Sequence, residues 1–195
     1  MIRLFRLLRA LRILDTAIFT GIPVMGILIS AYHTHIHDAK LTRLALYIFS
    51  IFLLALHIFL INDRADYFND RNDVDKVRDR ICKKTITPFQ ILALALITGI
   101  LSLALLMSFS LKQFLIAIIL LFFSLVYSTS FLLLHGKTIP ILASLLHLAG
   151  GSLSFLLGYT FYGNIENNTV IAGLMFGVFL MGGHLFQEIQ DMQGD

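Results

Sequence analysis

The 195-residue chain has no tryptophan, one cysteine (Cys82), three prolines and little charge, with only 14% of its residues Asp, Glu, Lys or Arg. A single cysteine excludes an internal disulfide. Soluble domains carry about 25% charged residues. The deficit here, together with 57% hydrophobic residues and a mean hydropathy of +0.84, marks a membrane protein. The formal net charge is only +3, and the basic residues sit in short stretches between apolar runs, so nothing points to nucleic acid as a partner. With tryptophan absent, the 17 phenylalanines supply the aromatic surface that meets lipid or fills the core.

Apolar windows of about 20 residues, long enough to cross a bilayer, fall near 14–32, 41–61, 89–109, 111–127, 139–162 and 169–186. They predict an all-α, polytopic transmembrane helix bundle of six spans, forming one membrane domain over residues 1–195. Pro23 and Gly26 are expected to kink the first span, which a membrane helix tolerates. The third and fourth windows adjoin at Ser110-Leu111, which requires a helical hairpin. Ahead of the first span, residues 1–13 carry Arg3, Arg6, Arg9 and Arg12 at every third position. This pattern predicts an amphipathic basic segment lying on anionic membrane lipid, where an arginine can also meet an anionic substrate.

Six spans put the N-terminus, the 62–88 and 128–138 loops and the C-terminus on one side. That side holds twelve of the fifteen lysines and arginines, leaving Lys40, Arg43 and Lys112 for the other. Positive loops face the cytoplasm, so the expected location is an integral membrane, cytoplasmic or inner, with these segments on the cytoplasmic side. Of the histidines, His33, His35 and His37 read as polar loop residues. His57 and His147 lie within spans and read as neutral, hydrogen-bonded core residues.

The richest polar stretch is Asn62-Asp63-Arg64-Ala65-Asp66-Tyr67-Phe68-Asn69-Asp70, directly after an apolar run. Asp63, Asp66 and Asp70 stand at i, i+3 and i+7, within roughly 60° of one helix face. Asn62 pairs with Asp66 at the edge of that face. The chain ends with a second set at the same spacing, Glu188, Asp191 and Asp195. Crowded carboxylates repel one another unless a cation lies between them, and their hard oxygens suit Mg²⁺. Asp63, Asp66, Asp70, Glu188, Asp191 and Asp195 are therefore the candidate metal ligands, on one side of the membrane as a shared site requires.

Two acidic stripes can hold Mg²⁺ ions bridged by a doubly phosphorylated ligand, and nearby cations neutralise the charge of a leaving diphosphate. The 71–84 stretch supplies Arg71, Lys76, Arg78, Arg80, Lys83 and Lys84, of which Arg78 and Lys83 are the candidates carried forward. Tyr127-Ser128 closes the fourth span, and Lys137 is the only cation of the loop after it. A polyanionic head joined to an apolar tail describes a prenyl diphosphate. Ionising its allylic C–O bond leaves a carbocation that the ring faces of Tyr67 and Phe68 can stabilise.

Asn62-Asp63-x-x-Asp66-x-x-x-Asp70 resembles the first acidic motif of the UbiA superfamily of intramembrane prenyltransferases. Asp191-x-x-Gly194-Asp195 resembles that family's second motif, with Glu188 where aspartate is common. Tyr127-Ser128 followed by Lys137 is similar to the segment of its intervening loop. The resemblance implies a helical bundle with a central cavity, Mg²⁺ dependence, and prenyl transfer from a diphosphate donor to a lipophilic or aromatic acceptor. By that likeness Asp63, Asp66, Asp70, Asp191 and Asp195 form the catalytic metal site, supported by Asn62. Tyr127, Lys137 and a cation such as Arg78 or Lys83 contact the diphosphate. The family's Arg-Pro-Leu segment is Arg80-Ile81-Cys82 here. The family fold has nine transmembrane helices, of which this chain carries about six, as expected of a C-terminally truncated member. The alternatives are an inactive fragment of such an enzyme and a divalent-cation channel or transporter, which would set its acids near the bilayer centre.

Overall fold

A computed structural model describes residues 12–35, 40–67, 87–129 and 136–194, with side chains as far as residue 186. Every regular element among the described residues is helical. The first span consists of α1 (Ile13–Phe19) and α2 (Gly21–Thr34), separated at Thr20. Pro23 and Gly26 are expected to kink this span, and the interruption lies one turn before Pro23. The physical reason is that proline has no N–H for the carbonyl of Phe19 and its ring crowds that carbonyl, so the interruption appears on the N-terminal side.

The remaining spans are α3 (Leu41–Asp66), α4 (Pro88–Phe109), α5 (Leu111–Ser128), α6 (Pro140–Tyr159) and α7 (Asn167–Gly194). Six segments are long and apolar enough to cross a membrane, the last ending at Phe186. Local chemistry sets their ends. Thr87 Oγ1 accepts from the Gln90 N–H and Gln90 Oε1 accepts from the Thr87 N–H, a reciprocal cap with Pro88 in the first turn. Ser110 alone joins α4 to α5, with extended backbone and its hydroxyl accepting from the Gln113 N–H at 3.2 Å. The expected hairpin is present. Pro140 likewise stands in the first turn of α6, where Ile139 supplies no side-chain cap.

In the packing, α6 lies against α7, α2 and α5, while α3 lies against α4 and α5. Within a bilayer, apolar side chains gain little from leaving lipid, so close packing and interhelical hydrogen bonds hold the bundle. Gly158 supplies the closest approach: a Cβ there would overlap the Pro23 carbonyl across the α2–α6 contact. One apolar core gathers Ile27, Tyr47, Ile51, Leu54, Leu106 and Leu120 from four helices. A second, nearer the end where α3 finishes, joins Leu60, Ile61 and Tyr67 to Ile91 and Ala95 of α4. Lipid-type surface remains on α7, where Phe179 and Phe186 are exposed.

Candidate functional site

The last turn of α3 carries Asn62, Asp63 and Asp66 on the face toward α1 and α5. Three other elements meet it there. Arg12 caps α1 in the left-handed region (φ 50°), a conformation costing a non-glycine residue about 1 kcal/mol. Its guanidinium Nη2 lies 3.0 Å from Asp63 Oδ1, and its charge sits 5.7 Å from the Phe59 ring one turn back along α3. Lys137, in the short 3₁₀ turn Gly136–Thr138, pairs its ammonium with Asp66 Oδ1. Ser128, the last residue of α5, directs its hydroxyl to Asn62 Oδ1 at 3.5 Å.

The site is thus built from three separate pieces of chain around one helix end. Both ion pairs are sheltered, with side-chain exposures of 13–23%. Partial burial pulls the Lys137 ammonium below the ordinary lysine range. Contact with Asp66 favours its charged form. The 3₁₀ turn is held against the ends of α5 and α6. Gly136 fits beneath the Val126 carbonyl where no Cβ has room, so the position of Lys137 is fixed by packing.

Tyr127 does not share the Asn62 contact of its neighbour Ser128. Its ring stands edge-on to His147 of α6, at 4.9 Å between centroids, and 6.2 Å from His184 of α7. His147 and His184 stack face to face at 3.9 Å with planes 5° apart. His184 had no signal in the sequence, because its partner is on another helix. Tyr67 is buried in the second apolar core rather than open to a ligand.

Of the remaining candidates, Asp70, Arg78, Lys83 and Asp195 lie outside the described residues, as does Phe68. Glu188 and Asp191 belong to the last turns of α7, with side chains outside the described set. Asn62, Asp63 and Asp66 thus close α3, and the Glu188 and Asp191 positions close α7. Among the described residues, no three His, Cys, Asp or Glu side chains converge as a complete metal site. Two carboxylates and an amide oxygen within one helical turn are nevertheless hard donors of the type Mg²⁺ takes, so the residues present fit that ion.

A model of the UbiA prenyltransferase family matches residues 20–195, which is most of the chain and every element of this site except Arg12. The chain belongs to the UbiA prenyltransferase family. Solved structures agree on the fold. A UbiA homolog from Archaeoglobus fulgidus bound to DMAPP and Mg²⁺ superposes with a TM-score of 0.74 at 19% identity, over 88% of this chain and 60% of that one. The same homolog bound to GPP and Mg²⁺ gives a TM-score of 0.74 at 20% identity, over 89% and 60%. This chain therefore spans about 60% of the length of those UbiA structures. No curated protein sequence matches it. Family membership and six membrane-crossing helices make it an integral membrane protein.

Proposed function

We propose that this UbiA-family chain binds a prenyl diphosphate with Mg²⁺ at the acidic end of the bundle and transfers the prenyl group to a lipophilic or aromatic acceptor within the membrane. The observation that carries this reading is the convergence of Arg12, Lys137 and Ser128, from three elements, on Asp63, Asp66 and Asn62. The family's structural neighbours carrying DMAPP or GPP with Mg²⁺ support it.

In this reading Asp63 and Asp66 hold the metal, with Asn62 on the edge of the cluster. Asp70, Glu188, Asp191 and Asp195 complete the ligand set. When bound, Mg²⁺ supplies the positive charge that stabilises diphosphate as a leaving group. Lys137 and Arg12 exchange carboxylate partners for phosphate oxygens, Lys137 as a compact point charge and Arg12 as a planar fork. Arg78, Lys83 and Tyr127 contribute further donors. Ser128 keeps the Asn62 amide oriented. The surrounding apolar helices accept the isoprenoid tail and keep water from the carbocation. We place this end on the cytoplasmic side from the distribution of Lys and Arg.

A cation channel is disfavoured by the position of the acids. Asp63 and Asp66 occupy the final turn of α3, whereas a pathway would place acids near mid-span. The deciding experiment is binding of geranyl S-thiolodiphosphate, a non-hydrolysable donor, to the detergent-purified chain. The expected result is saturable binding that requires Mg²⁺ and disappears with EDTA. Binding indifferent to Mg²⁺, or none at all, overturns the reading.

A further inference from the structure

The histidine pair of α6 and α7 lies outside the set of residues proposed to hold the donor, and its geometry suits a different task. His147 Nδ1 lies 2.8 Å from the carbonyl oxygen of Ala143, one turn back on its own helix. A carbonyl only accepts, so Nδ1 carries the proton and, in the neutral ring, Nε2 holds the lone pair. Nε2 has no hydrogen-bond partner among the described residues, and it is not among the sealed, unpartnered side-chain atoms. Within one helical turn of the pair both helices leave unfilled space, since a Cβ on Gly150 in α6 or on Gly183 in α7 would meet nothing within 4 Å.

The pair is also well placed. Tyr127, whose ring edges His147, is covalently next to Ser128, which contacts Asn62. His184 precedes Glu188 by one helical turn, about 6 Å along α7. His184 stacks flat on His147 and so fixes the plane of the first ring.

We propose that His147 Nε2 is the proton acceptor for a neutral hydroxyl group on the prenyl acceptor, seated between α6 and α7 just beneath the diphosphate site. The proposal rests on the donor reading above. On transfer, the prenyl C1–O bond breaks with its electron pair leaving on diphosphate. The hydroxyl proton passes to His147 Nε2, and the electron pair it frees forms the acceptor's new bond to C1. Nδ1 keeps its proton on the Ala143 carbonyl throughout. Tyr127 and His184 are positioning residues that hold the ring. An acceptor recognised in this way is a phenol or alcohol, since a carboxylate at neutral pH has no proton to give.

The test uses the full chain with 4-hexylphenol as acceptor probe and 4-hexylbenzoate as its proton-free counterpart. Histidine ring nitrogens are observed by ¹⁵N NMR, and donor binding is followed separately with geranyl S-thiolodiphosphate and Mg²⁺. The phenol should shift the His147 Nε2 resonance, and the benzoate should not. In H147N the side-chain amide can still donate to Ala143 but nothing replaces Nε2. It should weaken phenol binding about tenfold, lower geranyl transfer from geranyl diphosphate at least about 100-fold, and leave thiolodiphosphate affinity within about twofold. H147Q serves as a second variant should H147N fail to fold.

Wild-type phenol affinity and transfer in the variants overturns the base assignment while leaving the donor site standing. So does a wild-type chain that binds donor but neither shifts His147 with phenol nor transfers to it. Loss of donor binding in the wild type instead removes the donor reading, and this inference with it.

Discussion

At the end of the bundle away from the acids, neutral side chains are bonded to backbone that cannot leave. The Tyr47 hydroxyl donates to the Leu157 carbonyl at 2.6 Å, joining α3 to α6, and Gln113 Nε2 donates to the Thr160 carbonyl at 3.1 Å. The Tyr47 ring stacks on Phe161 and meets Phe109 edge-on. At the acidic end the corresponding contacts are ion pairs, Arg12 with Asp63 and Lys137 with Asp66. Each partner there is one that a divalent cation or a phosphate can replace. One end is stitched and the other is exchangeable. Substitutions at the two ends should therefore separate stability from ligand binding.

The largest effect is expected from Asp66→Asn. It removes a carboxylate from the metal set while keeping the shape of the side chain, and should weaken Mg²⁺-dependent binding of geranyl S-thiolodiphosphate at least about 100-fold. Loss of the sheltered pair with Lys137 costs the fold much less, because both partners keep access to water. Titration of the donor at fixed Mg²⁺, alongside thermal unfolding in the same detergent, reads both quantities. A variant that unfolds in step with its loss of affinity would show that the acidic end is stitched as well.

Lys137→Ala comes next. It should lower donor affinity about tenfold through loss of a charge-assisted hydrogen bond to phosphate. Lys137→Arg should recover only part of it, since the 3₁₀ turn sets the reach of that side chain and a planar fork does not replace a point charge. Undiminished affinity in Lys137→Ala would confine the lysine to neutralising Asp66.

How much of this was legible in the sequence follows from how far apart the interacting residues lie. The six spans were readable because each is a long apolar window, and the hairpin at Ser110 because two windows adjoin with no room for a loop. The pairing of Asp63 and Asp66 on one face of α3 was readable because i and i+3 is a local spacing. An interruption of the first span was readable from Pro23, and it falls at Thr20 because the effect of a proline appears at the carbonyl one turn earlier. The pairing of Arg12 with Asp63, and the stacking of His147 on His184, depend on how helices distant in sequence settle against one another. No local pattern encodes that register. His57 and His147 show the same limit. Both direct Nδ1 to a carbonyl, but His57 reaches Ala95 on α4 and is packed against Gly99, whereas His147 bonds within its own helix. The first joins two helices and the second keeps a ring edge open.

At the stitched end, Tyr47→Phe should destabilise the fold by about 1 kcal/mol by removing the bond from α3 to the Leu157 carbonyl, which keeps only the Thr160 hydroxyl at 2.7 Å. Donor affinity should stay unchanged within error. A fall in affinity matching that of Lys137→Ala would mean that the contact between α3 and α6 sets the geometry of the acidic end.

The smallest effect, and the finest test of the contrast, is expected from Ser102→Ala. The Ser102 hydroxyl donates across the α4–α3 contact to the Ser50 carbonyl at 2.8 Å and is completely buried. Interhelical side-chain hydrogen bonds in membranes average about 0.6 kcal/mol, because the separated helices find other partners. The Ser50 carbonyl remains available to its own helical ladder, so no acceptor is stranded and the loss should stay near that figure. The same α3–α4 contact carries His57 and Ala95 closer to Asp63. If the bundle transmits strain along α3, Ser102→Ala combined with Asp66→Asn will lose more affinity than Asp66→Asn alone. If the two ends are independent, the variants will add, each moving only its own observable. Additivity is the expected result, because the residues lie on different helices and share no bonded partner.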